Sequence, residues 1–186
     1  MNAAKEEPTD MATRIREGAA TARPTGLRWL PITLAVIALD QLVKLWIVDH
    51  LALYRTVRVL PVLDITLTYN RGAAFSFLAE ASGWQKWVFA GLAVIVAAGI
   101  TVWLRALNGR AQRLLCISLT LIMGGALGNL IDRLRIGHVV DFILAHWDRV
   151  YFPWAFNIAD SAITVGAALL LLDAVLESRG AKKENV

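Results

Sequence analysis

Two aspartates, Asp141 and Asp160, are the residues of this sequence best placed to do chemistry. Asp141 follows the apolar pair Val139-Val140 in a connecting segment, and Asp160 lies one turn into the next long hydrophobic run. Neither has a cationic partner at helical spacing, so an ion pair along one helix does not explain them. A functional role is one interpretation, and helix capping or pairing with Arg133 or Arg135 is the other.

The chemistry open to such a pair depends on whether the two carboxyl groups face each other. Like-charge repulsion and partial burial would then raise one pKa above the other, leaving one group protonated near neutral pH. The ionised carboxylate can take a proton from an attacking water while the protonated one donates to the developing oxyanion, as in an aspartic peptidase. Serine chemistry is disfavoured, because the sequence has no G-x-S-x-G elbow and Ser161 has no evident histidine base.

Other polar side chains gather near the ends of hydrophobic segments. An ionisable group in hydrocarbon costs about 2.5 to 3.5 kcal/mol, so each such group needs an explanation. Asp40 and Lys44, four residues apart, are interpreted as a structural ion pair. Two further sets each share one helical face, Gly125, Asn129, Asp132 and Arg133 in one and Asn157, Asp160 and Thr164 in the other. These sets either shape a site or cap and join the helices.

The elements that must position these residues are membrane spans. Of the 186 residues, 57% are hydrophobic and 18% charged, and the mean hydropathy is +0.54, which is too apolar for a soluble domain. Four runs reach the length of about 20 residues that a span needs. They are Leu27 to Val48, Trp84 to Leu104, Leu114 to Ile131 and Phe156 to Leu176. The sequence therefore predicts a membrane all-α fold, a four-transmembrane-helix bundle over residues 27–178, with cytoplasmic tails at 1–26 and 179–186, the first of them disordered.

The distribution of charge orients the predicted bundle. Lys and Arg are most frequent in the two tails and in the connection that holds Arg105, Arg110 and Arg113, so the positive-inside rule places both termini in the cytoplasm. All the polar sets then converge on the outer end. The net charge of +4 is explained by topology and does not indicate nucleic acid. No signal peptide is evident at the start.

Between the first two spans, apolar and polar residues alternate from Tyr54 to Tyr69. This period of two predicts a small β-element at the outer membrane face, where loops also lie. The three histidines, His50, His138 and His146, are dispersed and predict no metal site. The single Cys116 lies in an apolar run and is interpreted as a small buried side chain.

Five motifs in order resemble the lipoprotein signal peptidases, or signal peptidase II, over about residues 28 to 176. They are DQLVK from Asp40, NRGAAFSF from Asn70, GGALGNLIDR from Gly124, GHVVDF from Gly137 and FNIADS from Phe156. The resemblance implies that Asp141 and Asp160 are a catalytic dyad. It also implies that nine residues support the site or bind substrate: Asp40, Lys44, Asn70, Gly72, Gly125, Asn129, Arg133, Asn157 and Ala159.

The resemblance also implies the substrate and the setting. The substrate would be a bacterial prolipoprotein whose cysteine already carries diacylglycerol, cut just before that cysteine by an aspartic endopeptidase. The enzyme would lie in the inner membrane among lipids, use no metal or other cofactor, have its site near the periplasmic face, and be inhibited by globomycin. Two departures are that Val43 stands where relatives often have Ser or Thr, and that the tail to Gly26 is longer than the family needs.

Two other classes of function remain open from the residues. Intramembrane carboxylates also mark proton-coupled membrane carriers, although these usually show internal repeats and charges near the midplane, which this sequence lacks. A non-catalytic membrane assembly factor is the third possibility. For an enzyme, Gly72, Gly83 and the β-element are the candidates for a mobile lid.

Overall fold

The computed structural model describes residues 24–72, 84–147, 150–152 and 154–184. It contains four long helices, α1 (Leu30–His50), α2 (Gln85–Ala106), α3 (Arg113–Arg135) and α4 (Ile158–Glu184), and a 3-10 turn at Gly26–Trp29 leads into α1. Each long helix is long and apolar enough to cross a membrane. The four predicted spans are therefore confirmed, and α4 continues beyond the predicted end of its span at Leu176.

Helix α3 is the centre of the bundle. In the most apolar window of α3, 61% of residues are buried within the protein, against 22% in α1, 22% in α2 and 17% in α4. The other three helices all pack against α3. Since most apolar side chains of α1, α2 and α4 face outward, lipid rather than protein must cover them.

Small residues let the helices approach α3 closely. A Cβ atom on Gly124 would lie 2.8 Å from the Cβ of Val36 in α1. In α4, a Cβ on Gly166 would lie 2.7 Å from the carbonyl oxygen of Ser118 and 3.1 Å from the backbone nitrogen of Ile122. Backbone-level contact of this kind is how helices gain packing energy where no hydrophobic effect separates them from lipid.

A four-stranded antiparallel sheet lies beside the bundle, in the order β1 (Thr56–Leu60), β2 (Leu63–Asn70), β3 (Val139–Trp147) and β4 (Val150–Tyr151). Strands β1 and β2 confirm the predicted β-element. The second half of the sheet was not predicted, and the interpretation of the segment around Asp141 as a loop is wrong. Residues 139–142 are all buried, so they lack the alternation that reveals a half-exposed strand.

The pairing of β2 with β3 places this part of the sheet at the polar end of the bundle. Thr68 lies opposite Asp141 and Asn70 opposite Val139. Below the sheet, Leu67, Val140 and Phe142 form a buried cluster with Ile47 of α1, and Val43 packs against it. An apolar residue at position 43 thus fits its surroundings, where the family often has a hydroxyl. This cluster holds β3 against α1.

We expect Gly166→Ala to destabilise the bundle, because the added methyl group would meet the α3 backbone, which cannot move aside as a side chain can. Overpacking of this kind typically costs about 1 to 3 kcal/mol. The matched control is Gly99→Ala in α2, where a Cβ would meet nothing within 4 Å. Thermal unfolding in detergent measures both variants, and an equal Tm for the two would contradict the packing described for α3 and α4.

Candidate active site

Asp160 is held in place by the first turn of α4. Its backbone N–H donates to Oδ1 of Asn157 at 2.9 Å, and the N–H of Asn157 donates back to Oδ2 of Asp160 at 3.2 Å. This reciprocal pair is a capping box. The capping alternative considered for Asp160 is therefore realised, but it occupies one carboxylate oxygen, and the other accepts a hydrogen bond from Nδ2 of Asn129 at 2.7 Å.

Asp141 lies opposite, in the buried part of β3, with 2% of its surface exposed. Its Oδ1 accepts a hydrogen bond from Nδ2 of Asn157 at 2.7 Å, and the side chain of Asn70 is a second hydrogen-bond partner. The capping box uses the amide oxygen of Asn157, which leaves the NH₂ group to face Asp141. One asparagine thus contacts both aspartates and brings them together.

The two carboxyl groups are electrostatically unequal. Burial first, and the nearby Asp160 second, raise the pKa of Asp141 to about 7, while hydrogen bonds from Asn70 and Asn157 and the charge of Lys44 oppose the rise. Asp160 sits instead at a helix N-terminus, where the macrodipole favours an anion. A pKa of about 7 means that the protonated form of Asp141 is substantially populated near neutral pH.

Lys44 lies behind this dyad and is almost completely buried, at 2% exposure. Its ammonium donates to Asp40 at 2.7 Å, to Asp132 at 2.8 Å and to Oδ1 of Asn129 at 3.0 Å. The ion pair predicted between Asp40 and Lys44 is present. By occupying the amide oxygen of Asn129, Lys44 turns the amide NH₂ group of Asn129 toward Asp160.

Asp132 has a part in the site that the sequence analysis did not assign. Its Oδ2 accepts a hydrogen bond from the N–H of Val140 at 3.1 Å, and Nδ2 of Asn157 lies 3.3 Å from the carbonyl oxygen of Val140. The two peptide groups that flank Val140, just before Asp141, are therefore each held by one hydrogen bond. Gln41 supports Asp132 by donating to its Oδ1 at 2.8 Å. The sequence feature that could have indicated this role is the presence of an amide, Gln41, and a carboxylate, Asp132, within apolar runs.

Asp40 joins α1 to the start of α4. Its Oδ1 accepts the N–H of Ala159 at 2.9 Å, and both residues are fully buried. Gly125 of α3 lies against the same point, because a Cβ there would collide with the carbonyl oxygen of Ala159. Three helices thus meet at Ala159, next to the dyad.

Gly72 and Arg133 form the edge of the site next to α2. Gly72 has a φ of +95°, which only glycine adopts readily, and a Cβ there would lie 2.6 Å from Cε2 of Phe89. Its N–H donates to Oδ1 of Asn70 at 2.8 Å, which leaves the NH₂ group of Asn70 free to face Asp141. The guanidinium of Arg133 lies 4.9 Å from the ring centre of Phe89, within electrostatic reach of both aspartates.

Several residues singled out in the sequence lie elsewhere. Thr164 is exposed, and its hydroxyl donates to the backbone oxygen of Asp160. The three histidines are separate, since His50 stacks on Trp46, while His138 and His146 make tilted ring contacts with Tyr69 and Tyr151. Gly83 and residues 73–77 of the NRGAAFSF motif lie outside the described residues. Within the part of the chain that the structure describes, no three His, Cys, Asp or Glu side chains are grouped as a metal site.

The chain is similar to known proteins over most of its length. A family model described as signal peptidase (SPase) II matches residues 32–176. A lipoprotein signal peptidase of Pseudomonas aeruginosa is 56% identical over 149 residues, covering 79% of this chain and 87% of that protein. A lipoprotein signal peptidase of Pseudomonas putida is 53% identical over 156 residues, covering 83% of this chain and 90% of that protein.

Two solved structures of bacterial membrane enzymes have a fold similar to that of this chain. A bacterial membrane enzyme determined at 2.3 Å superposes with a TM-score of 0.71 and 32% identity, covering 84% of this chain and 92% of that one. A second, at 1.9 Å, gives a TM-score of 0.67 and 30% identity over 78% of this chain and 90% of that one. The resemblance read from five motifs is confirmed, and the chain belongs to the signal peptidase II family of membrane proteases.

Proposed function

We propose that the protein is an aspartic endopeptidase that removes signal peptides from diacylglyceryl-modified bacterial prolipoproteins, cutting before the lipidated cysteine. The observation that carries the proposal is the unequal pair of carboxyl groups, Asp141 in a strand and Asp160 at a helix N-terminus, bridged by Asn157. Family membership supports the lipoprotein substrate, and the buried, paired carboxyl groups support the aspartic mechanism.

The geometry suggests separate roles for the two aspartates. Asp160, ionised, takes a proton from a water whose oxygen bonds to the scissile carbonyl carbon. Asp141, protonated, donates its proton to the carbonyl oxygen as that oxygen gains charge. When the tetrahedral intermediate collapses, the C–N bond breaks, the leaving amine receives the proton held by Asp160, and Asp141 recovers the proton from the hydroxyl. The pair ends with one proton, as it began.

The surrounding residues act by holding this pair. Lys44, Asn129 and Asn157 form a continuous hydrogen-bonded path to both carboxyl groups. Asp40, Gly125 and Ala159 hold the start of α4. Asn70, oriented by Gly72, and Arg133 lie at the edge of the dyad, where they can also bind the substrate backbone. Residues of this kind work by keeping the reacting groups within a fraction of an ångström of their productive geometry.

The proposal places the protein in the bacterial inner membrane, with both termini in the cytoplasm and the dyad and sheet at the periplasmic face. The asymmetry of Lys and Arg supports this orientation. So does the substrate, because a diacylglyceryl-modified cysteine is anchored in the outer leaflet, at the same end of the bundle as the dyad.

We expect Asp141→Asn and Asp160→Asn each to lose nearly all cleavage of a diacylglyceryl-modified prolipoprotein, since a general acid or base contributes about 10²- to 10⁴-fold. Purified protein in detergent, assayed beside its thermal unfolding curve, gives the measurement. Asp49→Asn is the matched control, because the Asp49 side chain is 81% exposed, and it should retain full activity.

Three conditions sharpen this assay. Cleavage by the wild-type protein should survive EDTA and stop with globomycin. Loss of the folded state in both dyad variants would indicate a structural pair and support an assembly factor. No cleavage by folded wild-type protein would refute the peptidase and make ion-flux measurements on the carrier alternative the next step.

The pH profile should reflect the proton on Asp141. Because the active form has Asp141 protonated, kcat/KM should fall as the pH rises through about 7, the value to which its pKa is raised. Asn70→Ala removes a hydrogen bond that lowers this pKa, so the alkaline limb should move to higher pH. Asn108→Ala, at the turn between α2 and α3, is the control. An alkaline limb that stays in place in Asn70→Ala would contradict the assignment of the proton to Asp141.

A further inference from the structure

An exposed aromatic surface lies at the pair of strands β3 and β4, away from the dyad. We call it the aromatic edge, and it consists of Trp147, Val150, Tyr151, Phe152 and Trp154, which are 78%, 75%, 50%, 52% and 58% exposed. The rings of Phe152 and Trp154 meet edge to face with centres 6.0 Å apart. Large apolar side chains exposed together in this way mark a place of interaction.

Polar contacts on the inner side of β3 and β4 hold the aromatic edge in place. His146 and Asp64 are both buried, with Nε2 of His146 3.2 Å from Oδ1 of Asp64. The hydroxyl of Tyr151 lies 3.4 Å from Oδ2 of Asp64, and the N–H of Phe152 donates to the carbonyl oxygen of Ala145 at 2.8 Å. The rings of His146 and Tyr151 therefore pack together on the inner side, next to Asp64, while Trp147 and Val150 lie on the opposite face of the β3–β4 pair.

The position of the aromatic edge in the chain fixes its depth. Trp154 stands four residues before Ile158, where the span-length helix α4 begins. Four residues of extended chain reach at most about 14 Å, which keeps Trp154 close to the membrane surface. Tyr and Trp prefer that level, because their rings are amphipathic and sit among the headgroups.

We propose that the aromatic edge is a membrane anchor whose partner is the phospholipid surface, with the side chains of Trp147 and Trp154 at the boundary between headgroups and acyl chains. The effect of this anchor on the site rests on the proposed function. Strand β3 carries Trp147 six residues from Asp141, about 20 Å along an extended strand, so the contact with lipid sets the height of Asp141 relative to a substrate that is itself anchored by its lipid.

The depth of the aromatic edge can be measured independently of peptidase activity. Val150→Cys, in a Cys116→Ala background, is labelled with a nitroxide and reconstituted into liposomes of phosphatidylethanolamine and phosphatidylglycerol. Accessibility to oxygen and to a water-soluble nickel chelate gives the depth of the label. Arg110→Cys, in the exposed turn between α2 and α3, is the water-facing control. We expect oxygen to dominate at position 150 and the nickel chelate at position 110.

Two results would overturn the anchor. A label at position 150 as accessible to the nickel chelate as the control places the edge in water. A label shielded from both reagents means that protein, such as a second copy of this chain, covers the edge.

Cleavage assays in liposomes and in micelles test whether the aromatic edge affects catalysis. In the variant that combines Trp147→Ser and Trp154→Ser, cleavage in liposomes should fall several-fold, while cleavage in detergent micelles, which have no flat surface, should hold. Trp103→Ser, at the opposite end of the bundle, should change neither. An equal loss in micelles would refute the role in setting height. Absence of wild-type cleavage in both media would refute the proposed function and leave the label result intact.

Discussion

The ammonium group of Lys44 is the interaction on which the site depends. It is buried between α1 and α3 and satisfies each of its three donors with one oxygen, on Asp40, Asp132 and Asn129. A buried charge is tolerable only when it is paired and hydrogen-bonded in this way. Without Lys44, two buried carboxylates would face each other across the helix interface. The cation therefore joins the helices and, through the amide of Asn129, orients Asp160.

The difference between the two aspartates arises from the secondary structures that carry them. Asp141 is in a strand whose first residues are covered on both faces, so desolvation favours its protonated form. Asp160 lies in the first turn of a helix, where backbone N–H groups and the macrodipole stabilise negative charge. Two identical side chains are made unequal by a strand and a helix end that meet at Asn157. In the proposed mechanism, the fold thus supplies an acid and a base from one residue type.

Much of this arrangement could be predicted from the sequence. The spans followed from four apolar runs, and the convergence of Asp40, Lys44, Asn129 and Asp160 followed from alternating orientation and helical spacing. The family followed from five motifs. The roles of the individual site residues remain predictions, although the structure brings all nine supporting residues and the dyad to one end of the bundle.

What the sequence did not reveal depends on contacts between distant segments. Strand β3 was missed because its first four residues are buried and do not alternate, and its pairing with β2 joins residues 69 to 82 positions apart. The hydrogen bond from Val140 to Asp132 depends on that strand being in place. No local pattern near Asp132 or Gln41 indicates which backbone group each will hold, since periodicity reports only the face of an element.

The capping box at the start of α4 has a consequence for the direction in which protons move. The oxygen atoms of Asp160 accept hydrogen bonds from the N–H of Asn157 and from the side-chain amide of Asn129, so both oxygens already have partners when Asp160 takes a proton in the proposed mechanism. A proton on Oδ2 of Asp160 would weaken its hydrogen bond with the N–H of Asn157, which is one half of the capping box. In the proposed mechanism, this hydrogen bond therefore weakens when Asp160 takes the proton from water. It is restored when the leaving amine takes the proton away, so each turnover ends with the start of α4 capped again.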